Sequence, residues 1–319
     1  MLIYLFLLIL GIALLLLSVC ILVSYTIFRM CFTRAKSDMD TIEKNIRLIE
    51  SGGGNGQAIR DGRDWMLSNE IEHHYITSRD GLKLHGILIR NQNKNSKRVA
   101  IMVHGYRGAP AFDFSAAARS YYENGFSLFL PDQRTHGDSE GEYITFGAKE
   151  RYDIVDWCKY VNEYTGGDCE FILSGVSMGA TTVLLAAAEP DMIHLNYITA
   201  DCGYTTPRRI FIEVFKQWYN LPSFPIMNIA DFICKSSAGF SFDEFSTLDA
   251  VKMLRAPVTF IHGEADDFVL PQNSYDNFRE CTSEKNLITV PDAKHGLSYI
   301  KDKDKVDAEL LRIFNTYFS

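Results

Sequence analysis

Residues 170–189 read EFILSGVSMGATTVLLAAAE, an apolar run of strand length followed directly by a helical one, with Gly175-Val176-Ser177-Met178-Gly179 at the junction. As five letters, G-x-S-x-G is common and says little. Between a strand and a helix it marks a sharp turn that lifts a serine hydroxyl clear of a sheet, and the strained backbone there leaves room only for small neighbours. The flanking Gly175 and Gly179 meet that requirement. The helix beginning at Met178 also points the positive end of its dipole at the hydroxyl. Ser177 is therefore the candidate nucleophile.

Outward from this unit, strands and helices alternate. Strands are expected at 72–78, 82–90, 98–103, 126–131, 170–176, 196–200, 257–262 and 286–290. The first two flank Ser78-Arg79-Asp80-Gly81, a hairpin turn. Compact runs such as VAIMV, FSLFL and VTFI suit strands buried on both faces of a parallel sheet. Helical patterns fall at about 111–123, 147–164, 178–189, 272–280 and 303–318. A leading hairpin followed by β and α units in alternation predicts an eight-stranded, mostly parallel sheet covered on both faces. The alternation breaks between Asp201 and Pro257, where the aromatic stretches IFIEVFKQWY and PIMNIADFICK lie. An insertion at the carboxyl edge of such a sheet is where a helical lid would sit.

A serine hydroxyl needs a base within hydrogen-bond reach. Among the histidines, His295 (in Asp292-Ala293-Lys294-His295-Gly296) follows the last expected strand and opens on the same sheet edge as Ser177. It also completes a serine–acid–histidine chain order. His73, His74 and His85 lie on the leading hairpin, and His194 precedes a strand. His104, His136 and His262 sit in glycine-containing turns, where fixing loop geometry is the simpler role. The acid that orients the imidazole should come from His262-Gly263-Glu264-Ala265-Asp266-Asp267-Phe268-Val269; the residues alone do not separate Asp266 from Asp267. An oxyanion would need two donors. The backbone N–H of Met178 supplies one, and the N–H of Tyr106, in the loop Val103-His104-Gly105-Tyr106-Arg107-Gly108, the second.

With these residues in place, the chain resembles the α/β-hydrolase superfamily, and within it the bacterial members related to serine aminopeptidases and to acyl-peptide and cinnamoyl-ester hydrolases. Five blocks carry the resemblance in order: HGYRG (104–108), DQRTHGDSEG (132–141), GVSMG (175–179), HGEADDFV (262–269) and AKHG (293–296). The resemblance implies an α/β-hydrolase fold over about residues 70–319 and makes Asp266, the first aspartate of its block, the acid. It also implies that Asp132, Arg134 and His136 build the loop beside the site, and that Ala200-Asp201-Cys202-Gly203-Tyr204 turns into the lid.

The N-terminus adds a segment that many soluble relatives lack. Met1–Phe28 carries no charged side chain and would form a helix longer than a ~30 Å hydrocarbon core requires. A cleaved signal peptide would begin with basic residues and be shorter. Leu17-Ser18-Val19-Cys20 departs from a lipoprotein box at Val19. The expected organisation is a transmembrane anchor at 1–28, then a juxtamembrane helix and glycine-rich linker at 29–64. The hydrolase domain follows at 65–319, with its lid at about 203–250. Arg29, Arg34 and Lys36 beyond the apolar run place the catalytic domain on the cytoplasmic side of a single-pass topology.

The net charge of -8 gives no footing for nucleic-acid binding. The seven cysteines form no C-x-x-C pair, so neither a zinc site nor a disulfide framework is indicated, and no nucleotide-binding glycine motif occurs. No cofactor or metal is expected. The expected partners are a small-molecule ester or acyl substrate and the membrane. The function read here is ester hydrolysis through an acyl-enzyme, with thioesters and small amides within reach of the same chemistry. An acyltransferase or peptidase on the same residues is the first alternative, and a membrane-tethered binding protein without catalysis the second.

Overall fold

The computed structural model describes residues 1–34, 39–51, 55–93, 95–219 and 222–318. Among them are eight strands: β1 (Glu72–Thr77), β2 (Lys83–Ile89), β3 (Arg98–Val103), β4 (Ser127–Pro131), β5 (Glu170–Val176), β6 (Leu195–Asp201), β7 (Val258–Gly263) and β8 (Lys285–Val290). They form one sheet in the order β1-β2-β4-β3-β5-β6-β7-β8. The β1/β2 and β2/β4 pairs are antiparallel and all later pairs parallel. The helices are α1 (Leu2–Phe32), α2 (Met39–Ser51), α3 (Gly56–Leu67), α4 (Pro110–Asp113), α5 (Ser115–Glu123), α6 (Glu150–Tyr164) and α7 (Met178–Ala187). After these come α8 (Pro207–Tyr219), α9 (Ile226–Ser237), α10 (Thr247–Met253), α11 (Gln272–Glu280), α12 (Ser298–Lys301) and α13 (Lys303–Tyr317).

The continuous apolar runs have a simple cause. On β3, Val99, Ile101 and Val103 pack with α6 and α7 on one face, while Ala100 and Met102 pack with α5 and α13 on the other. β5 divides the same way, with Phe171 and Leu173 on one side and Ile172 on the other. A strand covered on both faces cannot alternate apolar with polar residues.

The interruption after β6 holds α8, α9 and α10. The insertion expected as a lid at 203–250 is not uniform. Val251 and Leu254 join the main core beside α7, whereas α8 and α9 contribute Ile210, Ala230 and Cys234 to a separate apolar cluster.

That cluster also contains the end of α1. The apolar helix runs past Phe28 to Phe32. From Leu2 to Val23 no side chain is buried, but Ser24, Phe28 and Phe32, spaced one helical turn apart, are buried against the domain. Phe32 stacks on Phe242 at 5.6 Å and meets Phe146 and Phe211 at 5.1 Å each. The Ser24 hydroxyl donates to the Ile226 carbonyl at 2.9 Å, and the Ile144 N–H to the Phe32 carbonyl at 2.7 Å. The last turns of this long apolar helix are thus used for packing. Leu2–Phe32 is a candidate membrane span whose last turns belong to the globular body.

The expected start of the domain at Trp65 falls inside α3, which lies against α5. Ile42 and Ile46 of α2 and Ile59 of α3 form a small apolar cluster with Ala109, Phe112 and Ile300. The amphipathic pattern of Ile42, Ile46 and Ile49 is satisfied there. Gly52, Gly53 and Gly54 of the expected linker, and Lys36, lie outside the described residues.

Because Phe32 is fully enclosed, Phe32→Ala should cost about 3–5 kcal/mol. Thermal unfolding of the detergent-solubilised full chain reads this as a lower Tm. An unchanged Tm would show that the end of α1 is not part of the folded core.

Candidate active site

Ser177 stands at the β5–α7 turn with φ 57° and ψ -118°, a conformation disfavoured for a residue with a side chain. The geometry explains both flanking glycines. A Cβ on Gly179 would lie 1.9 Å from the Val103 carbonyl oxygen, and one on Gly175 would lie 2.3 Å from the Gly179 carbonyl oxygen. The helix must sit this close to β3 and β5 for the hydroxyl to stand free of the sheet. The Ser177 N–H donates to the Asp201 carbonyl at 2.8 Å, which ties the turn to β6.

Three residues distant in sequence meet here. The Ser177 hydroxyl lies 2.8 Å from His295 Nε2, and His295 Nδ1 lies 2.7 Å from Asp266 Oδ2. Asp267 is exposed, so Asp266 is the carboxylate that reaches the imidazole. The other Asp266 oxygen accepts the N–H groups of Phe268 and Val269 at 2.9 and 3.0 Å. Burial works against the Asp266 charge, but hydrogen bonds from His262 and His295 outweigh it and hold the carboxyl well below its usual range. An ionised acceptor on Nδ1 fixes the proton there and leaves Nε2 as an acceptor for the serine hydroxyl.

His262 is a residue whose place the sequence hid. The sequence assigns it only the fixing of loop geometry. It lies in β7 with Nε2 at 3.2 Å from Asp266 Oδ2 and 2.8 Å from the Val269 carbonyl. Its Nδ1 meets the Ser274 hydroxyl at 2.6 Å. Cys202 Sγ also lies in this group, and with Asp266 and His295 it forms a set of three ligand-type atoms within 4.8 Å. Burial pushes the Cys202 thiol well above its usual range. The Asp266 and His295 atoms are engaged with each other and with Ser177.

The loop after β3 approaches from the other side. A Cβ on Gly105 would stand 3.3 Å from that of Ser177. The Gly105 N–H donates to Asp113 at 2.6 Å, the Gly108 N–H to the Gly105 carbonyl at 3.1 Å, and the Arg107 N–H to His136 Nε2 at 3.0 Å. Among the described residues no hydrogen bond engages the N–H of Tyr106, nor that of Met178 at the first position of α7. Asp113, which no motif announced, anchors this loop, and burial raises its carboxyl above the usual range. His136 Nδ1 lies 2.9 Å from the Arg134 carbonyl, so Nε2 is left to accept. Arg134 makes a two-pronged pair with Asp153, both contacts at 2.7 Å, and Asp132 meets His85 at 2.7 Å. The 132–136 segment is a built support for the loop.

A mostly parallel sheet with its central serine on a strand-to-helix elbow, faced by a histidine and an aspartate from later loops, defines an α/β hydrolase architecture. The chain belongs to the alpha/beta hydrolase family, whose pattern matches residues 100–308. It is 27% identical over 183 residues to the Bacillus subtilis protein YqkD, a match spanning 57% of this chain and 60% of that one. It is 31% identical over 119 residues to the thiohydrolase aneE of Aspergillus aculeatus, covering 36% of this chain and 37% of that one. The Pyrococcus furiosus esterase Pf2001 superposes with a TM-score of 0.64 at 20% identity, covering 80% of this chain and 96% of the esterase. Est1E of Butyrivibrio proteoclasticus, solved with ferulic acid bound, superposes with a TM-score of 0.59 at 21% identity, covering 76% of this chain and 100% of Est1E.

Burial, reinforced by neighbouring His104, pushes His136 down to about 3. Below about pH 6.5 the unfolded chain binds a proton that the folded chain refuses, so stability falls as pH drops from there toward 3. His136→Gln should flatten that part of the stability–pH curve. Denaturant midpoints at several pH values check it, and an unaltered slope would contradict the assignment.

Proposed function

We propose that this protein is a serine hydrolase of carboxylic esters that works through an acyl-enzyme. The observation that carries the reading is the hydrogen-bonded chain Ser177–His295–Asp266, with contacts of 2.8 and 2.7 Å. The Ser177 oxygen attacks the ester carbonyl carbon while His295 Nε2 takes its proton. Asp266 holds the imidazole in the required tautomer and stabilises the imidazolium. The negative charge on the carbonyl oxygen is met by the N–H groups of Met178 and Tyr106, each worth about 3–4 kcal/mol in such a site. The proton then passes from His295 to the departing alkoxide, which leaves as the alcohol. Water, deprotonated by His295, attacks the acyl-serine and releases the acid.

The esterases among the structural neighbours agree with this reading, and the relation to a thiohydrolase extends it to thioesters. Transfer of the acyl group to another alcohol or to an amine would use the same acyl-enzyme with a different acceptor. The anchor belongs to the proposal: α1 holds the enzyme on a membrane as a single-pass span, with Arg29 and Arg34 keeping the catalytic domain on the cytoplasmic side. The working domain limits are an anchor over about 1–28, a connecting segment to residue 64 and a hydrolase domain from 65 to 319.

Ser177→Ala should lower turnover of p-nitrophenyl esters by about 10⁴-fold or more and abolish labelling by a fluorophosphonate probe. Undiminished labelling of that variant would refute the assignment. Asp266→Asn should keep the fold and lose about 10⁴-fold in kcat, since the imidazole then adopts the wrong tautomer. Wild-type turnover in that variant would remove Asp266 from the mechanism.

A further inference from the structure

We infer that the end of α1 holds the oxyanion loop in its working geometry, with the side chains of Tyr106 and Arg107 as the positioning groups; this rests on Ser177 as nucleophile and the Tyr106 N–H as oxyanion donor. The last four carbonyls of a helix have no partner within it and must find one elsewhere. In α1 these belong to Arg29, Met30, Cys31 and Phe32. The Arg29 carbonyl accepts the Thr33 hydroxyl at 2.6 Å. The hydrolase domain takes the other three. The Phe32 carbonyl accepts the Ile144 N–H at 2.7 Å, the Cys31 carbonyl accepts the Tyr106 hydroxyl at 2.9 Å, and the Met30 carbonyl accepts from the Arg107 guanidinium. Two adjacent residues of the loop beside Ser177 thus cap α1. The Arg107 charge also lies against the negative end of the helix dipole.

These bonds act where the loop backbone is least restrained. The Tyr106 N–H belongs to the peptide that follows Gly105, and a glycine gives that peptide wide freedom to turn. Asp113 holds the Gly105 N–H on one side of it and His136 the Arg107 N–H on the other. The Tyr106 side chain adds a third hold, with its ring stacked on Phe146 at 5.4 Å and its hydroxyl on α1. Arg107 has φ 54°, which a residue with a side chain keeps only under constraint. Its guanidinium lies 5.1 Å from the centre of the Tyr106 ring and is bonded to Met30, which contributes that constraint. Just past α1, Arg34 grips the neighbouring turn. Its guanidinium donates to the Gly137 carbonyl at 3.1 Å and to the Ser139 carbonyl, and its N–H to the Glu142 carbonyl at 3.2 Å. That turn begins at His136, so the exit of α1 steadies the loop's support as well as the loop itself.

The test uses the full chain in detergent micelles, with p-nitrophenyl butyrate as substrate and an alkyl trifluoromethyl ketone as inhibitor, whose serine adduct places an oxyanion in the same hole. Tyr106→Phe removes one hydroxyl and keeps both the ring and the N–H. It should lower kcat about tenfold with KM within about twofold of wild type, and weaken the ketone about tenfold, since the lost interaction serves only the transition state. Arg107→Met should do the same, and Arg107→Lys, which can still donate to the Met30 carbonyl, should recover to within about threefold of wild type. A bond of purely structural value would lower the Tm and leave kcat and ketone affinity of the folded protein at wild-type levels; that result would overturn the inference. Should the loop variants fail to fold, Arg34→Ala, which removes an exposed side chain, decides: kcat about threefold lower at unchanged KM supports the inference, and wild-type kcat overturns it. Wild-type protein that neither cleaves the ester nor binds the ketone would instead remove the hydrolase reading, and the inference with it.

Discussion

The backbone of Ser177 carries a positive φ that an L residue adopts only under constraint, at a cost of about 1–3 kcal/mol. Its surroundings enforce it. α7 packs so closely on β3 that residue 179 can hold no side chain, and the Ser177 N–H is fixed to the Asp201 carbonyl. Strain at this one residue sets the hydroxyl above the sheet edge, and the rest of the site is built to meet it. The loop with Asp266 follows β7, the loop with His295 follows β8, and the loop with Tyr106 follows β3, so each leaves the same edge.

Stabilising layers stand behind each element of the site. Asp266 is held by two backbone N–H groups and by His262, so its position does not depend on His295 alone. The Gly105–Gly108 loop is pinned by Asp113 on one side and His136 on the other. Both pins tie up N–H groups of the loop and leave Tyr106's unengaged among the described residues. A donor already oriented and not otherwise satisfied needs no rearrangement when charge develops beside it.

The central strands β3, β4, β5 and β7 were legible because each is a compact apolar run buried on two faces. The expected limits 98–103 and 170–176 coincide with β3 and β5, and the others fall within a residue or two. Ser177 was legible through its glycines, and His295 through its place after the last strand. Separating Asp266 from Asp267 needed the family resemblance, since both lie in one acidic loop and only three-dimensional packing buries the first and exposes the second. Asp113 and His262 were not legible in their roles, because a buried hydrogen bond leaves no periodic trace. The packing role of the end of α1 was hidden for a related reason: Phe28 and Phe32 look alike in an apolar run whether or not protein covers them.

The central claim is that Ser177 becomes covalently acylated during turnover. Mixing the full-length protein with a p-nitrophenyl ester, quenching in acid within the first turnover and mapping the peptides by mass spectrometry tests it most directly. The expected result is a burst of p-nitrophenol stoichiometric with protein, with the acyl mass on the peptide bearing Ser177. Steady ester cleavage with no adduct on that peptide, or with the adduct on another residue, would contradict the account.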